Sequence, residues 1–283
     1  MPPGSQITPP VIDPFWNSMI SDWSLVGPPL RPSPEDTAIM ERMVRDWHVG
    51  AARSHPRAGI LGVTPEIVGM RWPEETRLSA FDKEPAMIRD LWPKGGVPHA
   101  AAVCCNWLSL PIADSSLDVV AGDGPLTQLS YPEEYRKVSR ELARVISPGG
   151  ILVLRLFVPP PGRETVDTLF EELWSGRIDN FNAFRWRLLM LLQENPEKGV
   201  CLGDAWEVWH SRIPSPERLA ETLGWPVAAI SVIDRYRAVP TVYSFTPLES
   251  VCALLQPDFS LTGQVVPSYR DGIRYPTVCF TRR

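Results

Sequence analysis

The sequence predicts an α/β fold: a doubly wound, mainly parallel seven-stranded sheet with an N-terminal arm and helix and a helical insertion after the fifth strand. Three observations carry this expectation. From Arg57 onward, short apolar runs alternate with amphipathic stretches, the texture of βαβ units. Those runs are nearly continuous rather than alternating, as in strands covered on both faces of a parallel sheet. Two more strand-like segments follow near residues 260–281.

Taken in order, the first 34 residues are proline-rich but hold Phe15, Trp16 and Trp23. Disordered tails are poor in aromatics, so this arm is expected to lie against the body. Ser33-Pro34-Glu35-Asp36 supplies a cap, a proline at the first helical position and an acidic first turn, predicting a helix to about residue 48. Strands are expected at 57–63, 77–81, 99–105, 118–121 and 151–158, with helices at about 65–71, 84–91 and 132–146. Ser147-Pro148-Gly149-Gly150 reads as a helix stop and turn. Beyond Pro159-Pro160-Pro161, helices are expected at 165–174 and 182–193, another after Ser215-Pro216-Glu217, then a helix at 248–255 and strands at 260–266 and 274–281. The chain therefore divides into an arm and helix (1–50) and a main domain (51–283), with 160–214 inserted. Insertions after a central strand usually sit over the carboxyl edge of the sheet, so 160–214 is a candidate lid, with a packing appendage or a homodimer surface as the alternative.

Composition bounds the function. With 44% apolar and 22% charged residues in a length of 283, the chain is ordinary for a globular protein, which excludes wholesale disorder, collagen and coiled coil. Basic residues number 28 against 33 acidic, a net charge of −5, the wrong balance for a non-specific nucleic-acid binder. No run reaches the roughly 18 apolar residues of a membrane span. The start, Met-Pro-Pro-Gly, lacks the basic and apolar regions of a signal peptide, so a cytoplasmic location is expected. Five cysteines form no Cys-x-x-Cys pair; Cys104 and Cys105 read as small buried hydrophobes of a reducing compartment. His48, His55, His99 and His210 show no metal-ligand spacing, and no metal is expected.

In an open parallel sheet a ligand lies beyond the carboxyl ends of the strands. There the turn Leu61-Gly62-Val63-Thr64-Pro65-Glu66 offers close backbone approach at Gly62 and a helix opening at Thr64-Pro65. Asp82 ends the second strand, where a carboxylate can accept from a ribose diol or merely cap the next helix.

From Asn106 the chain reads Asn106-Trp107-Leu108-Ser109-Leu110-Pro111, then Asp114-Ser115-Ser116-Leu117-Asp118-Val119-Val120 and Gly122-Asp123-Gly124. Glu141-Leu142-Ala143-Arg144-Val145 and Ser147-Pro148-Gly149-Gly150-Ile151-Leu152-Val153 follow. This order resembles the core of the class I S-adenosylmethionine-dependent methyltransferases. In that family the third strand ends in an acid and a hydrophobe followed by Leu-Pro, the fourth begins Phe-Asp-Val-Val, and the next helix ends Arg-Val-Leu-x-Pro-Gly-Gly. The resemblance covers residues 57–158 most clearly and the C-terminal strands more loosely. It implies a Rossmann-like methyltransferase fold, S-adenosylmethionine as cofactor and S-adenosylhomocysteine as product. Carried across by position, Gly62, Val63 and Thr64 would face the methionine part, Asp82 would hold the ribose hydroxyls, and Lys83 and Met87 would lie beside the adenine. Asn106 would meet the adenine amino group, Trp107 would flank the ring, and Asp123 and Gly124 would lie near the sulfonium.

Asp123 is the candidate catalytic group, although a Gly-flanked Asp after a strand is also an ordinary turn. In-line methyl transfer draws much of its acceleration from positioning, so no universal catalytic residue is expected. Tyr131, Trp23 and Trp186 are candidates for a substrate pocket, formed where arm and insertion enclose a small-molecule acceptor; no nucleic-acid or membrane partner is expected. Two departures stand out: the family's first motif, an acid followed by Gly-x-Gly-x-Gly, is reduced to Gly62, and its acid after the third strand is Asn106. They keep a catalytically silent, methyltransferase-like binding protein as the alternative. A nicotinamide-dependent oxidoreductase ranks third, since Gly-x-Gly-x-x-Gly is absent.

Overall fold

The computed structural model describes residues 14–51, 53–94, 98–160, 162 and 164–283, so the first part of the proline-rich arm lies outside the described residues. The described chain opens with α1 (Pro14–Ser21), a 3-10 turn at Trp23–Leu25 and α2 (Pro34–Ala51). The start of α2 is capped reciprocally: Ser33 N and Oγ both donate to Asp36 Oδ2 at 2.8 Å, and Asp36 N donates to Ser33 Oγ at 3.2 Å. Then come β1 (Arg57–Leu61), α3 (Pro65–Val68), β2 (Arg77–Asp82), α4 (Pro85–Leu91), β3 (Ala100–Cys104), β4 (Leu117–Asp123), α5 (Glu133–Val145) and β5 (Ile146–Arg155).

α5 follows from its pattern. Tyr135, Val138, Leu142 and Val145 recur at helical spacing and are buried, while Glu133 and Glu134 begin the helix and Arg144 ends it, each favoured by the helix dipole. The predicted turn at 147–150 instead forms the start of β5. Its turn chemistry survives as an irregularity: Gly149 has φ +76°, and the β4–β5 register shifts between Leu117 and Val119.

After β5 the inserted segment comprises α6 (Val166–Trp174), α7 (Phe181–Leu192), β6 (Val200–Cys201), α8 (Leu202–Arg212), α9 (Pro216–Leu223), α10 (Val227–Ser231), a 3-10 turn at Val232–Tyr236 and β7 (Val242–Tyr243). It continues past residue 214, because Tyr236, Tyr243 and Phe245 pack into the same core as α7. α7 is the centre of this cap, with Phe184, Leu188 and Leu189 wholly buried. Leu188 therefore offers no surface to a partner, and α7 lies inside the core of the inserted segment. The cap is tied to the body by Arg187 and Arg274, which both pair with Glu164.

The chain closes with α11 (Leu248–Leu255), β8 (Phe259–Val265) and β9 (Thr277–Arg282). The seven-stranded sheet has the order β3-β2-β1-β4-β5-β9-β8. β1 to β5 pair in parallel, and β9 slots between β5 and β8 antiparallel to both. The strand order reverses beside β1 and β4, which places a crevice at their carboxyl ends. β3 lies at the sheet edge, which corrects one reading: Cys104 is exposed and Cys105 half-buried rather than core. No described helix is long and apolar enough to cross a membrane.

Candidate active site

A cavity of about 120 Å³ lies in that crevice, bounded by the ends of β1, β2 and β4 and closed by α1, Trp23 and α7. Of the residues singled out in the sequence, Gly62, Val63, Thr64, Asp82, Lys83, Met87, Trp107, Asp123, Gly124, Trp23 and Trp186 all line it.

Gly62 leaves β1 with φ +94°, in the left-handed region that glycine tolerates. A Cβ there would stand 3.8 Å from Thr64 Oγ1, 3.9 Å from Asp82 Oδ2 and 4.0 Å from the Trp107 ring. The glycine thus keeps open a small cradle with a hydroxyl, a carboxylate oxygen and an indole face around it. Phe81 O fixes two of its sides, accepting from Gly62 N at 2.7 Å and from Trp107 Nε1 at 2.6 Å.

The two oxygens of Asp82 meet different neighbours. Its Oδ1 accepts from Glu84 N at 2.9 Å, leading into α4, while Oδ2 faces the Gly62 cradle. Burial pushes its carboxyl up to about 6; neighbouring Glu84 adds to this, while backbone hydrogen bonds from Glu84 and Val63 and the charge of Lys83 oppose it. Glu84, 2% exposed, is a second carboxylate on this wall that sequence reasoning missed. Its position two residues past Asp82 gave no signal beyond that of a helix start.

Asp123, at the end of β4, accepts from Arg155 Nε at 2.6 Å. Arg155 is fully buried; its Nη2 donates to Pro29 O at 2.9 Å and its Nη1 lies 3.6 Å from Asp36 Oδ2. Burial alone disfavours the Arg155 cation, but Asp123 and Asp36 outweigh it and hold the guanidinium above its usual value. Burial raises the Asp123 carboxyl above its usual range, and the charge and hydrogen bond of Arg155 oppose that rise. The ion pair anchors the end of β4, and Asp123 lines the cavity from that place.

Gly124 follows at φ +57°, and a Cβ there would sit 2.2 Å from Cε2 of Phe157. Gly124→Ala is expected to lower stability by about 2–4 kcal/mol, from left-handed strain plus the ring displacement. Urea unfolding measures the loss, and a change under about 1 kcal/mol would show that Phe157 moves freely.

Two residues are not brought to the cavity. Asn106 is exposed, and its Oδ1 accepts from Leu108 N at 2.9 Å in a local turn. Tyr131 packs edge-on against Tyr135 at 5.3 Å, against the core cluster that holds α5. Phe15, Trp16 and Met19 of α1 join the lining instead, with Arg31, Phe157, Tyr236 and Tyr243. The aromatics of the proline-rich arm were the signal for the first two. Tyr236 ends a 3-10 turn and Tyr243 ends the two-residue β7, with no motif around either. Trp206 and Trp209 hold the cap together: Trp206 stacks on His210 at 4.7 Å and Trp209 meets Phe181 at 4.9 Å. Among the described residues, no cluster of His, Cys, Asp and Glu could hold a metal ion.

Residues 68–154 match the family described as a methyltransferase domain. The demethylmenaquinone methyltransferase of Corynebacterium urealyticum is 30% identical over 132 residues, 44% of this chain and 48% of the relative. The chain thus spans about half the length of the curated relative it matches. Among solved structures, N-methyltransferase NodS from Bradyrhizobium japonicum WM9, in complex with S-adenosylhomocysteine, superposes with a TM-score of 0.50 at 11% identity, over 95% of this chain and 99% of that one. A SAM-dependent methyltransferase from Methanosarcina mazei gives 0.50 at 14% identity, over 89% and 99%. A Rhodobacter sphaeroides protein assigned to the Zn-dependent alcohol dehydrogenases gives 0.55 at 17%, over 94% and 99%. At such identities the likeness in structure shows the shared fold alone.

Proposed function

Because the chain carries a class I, S-adenosylmethionine-dependent methyltransferase domain on a Rossmann-like sheet, we propose that it transfers the methyl group of that cofactor to a small-molecule acceptor enclosed between the sheet edge and the cap. The observation that carries this reading is the Gly62 cradle: a Cβ would fill the space between Thr64 Oγ1, Asp82 Oδ2 and the Trp107 ring, where the cofactor's backbone approach is needed.

S-adenosylmethionine supplies a methyl group on a sulfonium sulfur, which an acceptor atom takes by in-line displacement. The chain's own residues bind and orient. Asp82 would hold the ribose hydroxyls through Oδ2, and Lys83 and Met87, which line the same cavity, would lie beside the adenine. Trp107, held by Phe81 O, keeps its ring against the cradle. With Asp123 engaged by Arg155, the contribution at the reacting atoms is positioning and exclusion of water. An enclosed site and a net charge of −5 favour a small acceptor over a nucleic acid.

Calorimetric titration with S-adenosylhomocysteine tests the reading, with saturable one-to-one binding expected; a folded chain that does not bind it overturns both this proposal and the silent-protein alternative. Transfer of label from methyl-labelled S-adenosylmethionine into a metabolite extract separates turnover from binding alone. Hydrogen exchange then locates closure. Protection is expected to rise at Gly62, at Asp82 and over residues 14–25, which close the cavity, while α7 in the cap core stays unchanged. An indifferent α1 would make the arm a fixed wall.

A further inference from the structure

The arm closes one side of the cavity, and we infer that residues 14–28 are a strap: rooted at Pro29 and latched to the cap by the Asp22–Arg235 pair, they open to admit the ligands of the site. This rests on the methyl-transfer reading above. At about 120 Å³, the space lies well below the roughly 300–1,000 Å³ of sites that enclose ligands of drug-like size. A wall must therefore move before a cofactor and an acceptor can enter together.

Of the walls, two are held from within. The ends of β1, β2 and β4 are fixed by the parallel ladder of the sheet. Moving α7 would open the core of the inserted segment, where its Phe184, Leu188 and Leu189 are wholly buried. The arm is the third wall, and Phe15, Met19, Trp23, Val26 and Leu30 line the cavity from it. Phe15, Met19 and Val26 are each only 5% exposed, and burial of such side chains makes the closed arm the resting state.

The fastenings of the arm differ in depth. At its root, Pro29 O accepts from Nη2 of the fully buried Arg155 at 2.9 Å, and Arg155 Nη1 lies 3.6 Å from Asp36 at the start of α2. Arg31, paired with Glu66 at 2.5 Å, donates to the carbonyls of Trp23 at 3.4 Å and Val26 at 3.2 Å and stacks on the Trp23 ring at 5.1 Å. Farther out, the tie to the cap reaches the surface. Asp22 pairs with Arg235 of the 3-10 turn Val232–Tyr236 at 2.7 Å, with the two side chains 20% and 42% exposed. Both residues lie outside the cavity lining, so loosening this latch leaves the site itself intact.

A gate of this kind has a kinetic signature. The closed arm is the resting state with or without ligand, so a weaker latch raises the open fraction of both by the same factor. Association and dissociation then quicken together while the dissociation constant stands still. A change at the site would move the constant.

Stopped-flow binding of S-adenosylhomocysteine to the full chain, followed by tryptophan fluorescence, measures both rates. Asp22→Asn and Arg235→Gln are each expected to raise both rate constants about threefold, with Kd held within about twofold. The double variant should go no further than either alone, because one pair is lost only once. In the native chain, sodium chloride raised from about 0.05 to about 0.5 M is expected to quicken both rates about twofold, by screening the pair. S-adenosylhomocysteine carries no net charge, so salt does not act by steering it. Unchanged rates in either series, or unequal changes that shift Kd, overturn the inference and leave the methyl-transfer reading standing, with the arm a fixed wall. Failure of the native chain to bind S-adenosylhomocysteine overturns that reading, and this inference falls with it. If a variant does not fold, the salt series on the native chain decides.

Discussion

Arg155→Ala is expected to destabilise the protein by about 3–5 kcal/mol, the largest single effect, because it removes a buried cation from between two buried carboxylates. Arg155 and Asp36 are both 0% exposed, and Asp123 lies on the other side of the guanidinium at 2.6 Å. Asp36 keeps partial support from Ser33 and from Tyr269 Oη at 3.0 Å, but Asp123 is left with an unpaired charge. The guanidinium also lies 5.0 Å from the Phe157 ring centre and 5.8 Å from that of Tyr275, so truncation removes packing as well. Urea unfolding should show the loss, and the deficit should shrink as the pH falls. In the variant the uncompensated carboxylates take up protons more readily when folded than when unfolded, so acid favours the folded state. A loss below about 1 kcal/mol, flat in pH, would mean that water or a neighbouring cation reaches the gap.

The second large effect is on binding. Asp82→Ala is expected to weaken S-adenosylhomocysteine by about 1.5–3 kcal/mol, the loss of hydrogen bonds to a charged acceptor. Since burial holds this carboxyl at about 6, native affinity should fall as the pH drops through about 6, where the carboxylate is neutralised. In Asp82→Asn that dependence should vanish. Stability of the free protein moves the opposite way. The folded chain keeps a proton on Asp82 that the unfolded chain has released, so stability declines as the pH rises from the usual carboxylate range to about 6. Asp82→Asn is therefore expected to be more stable than the native protein at neutral pH, by as much as ~3 kcal/mol, while binding less well. Thermal unfolding with and without ligand checks both signs. Unchanged affinity in a folded variant would leave Asp82 with only its cap to α4.

The sheet was legible because buried parallel strands announce themselves as apolar runs, and β1, β2, β4 and β5 do so. β3 misled at Cys104 and Cys105, since an edge strand can carry the same letters without the same cover. Gly62 and Asp82 were readable from their places at strand ends, where backbone geometry alone limits what a residue can do. The triad Asp36, Asp123 and Arg155 was not, because its members come from a helix start and two strand ends and nothing local pairs them. For the same reason Asn106, read by position, proved to serve its own turn. The cap's aromatics fell between these cases: the arm's rings signalled attachment, whereas Tyr236 and Tyr243 acquire meaning only when the cap folds back.

The place of β9 also has a bearing on how the chain is made. β8 reaches the sheet only through β9, which lies between it and β5. On a ribosome the five parallel strands can assemble as they emerge, but β8 waits with its partner still unsynthesised until residues 277–282 are free of the exit tunnel. During that interval β5 presents an open row of backbone donors and acceptors, a template for another nascent chain. A polypeptide halted anywhere before residue 277 keeps that edge permanently, so incomplete products are marked for chaperones and proteases by an unpaired strand in the middle of what should be a continuous sheet.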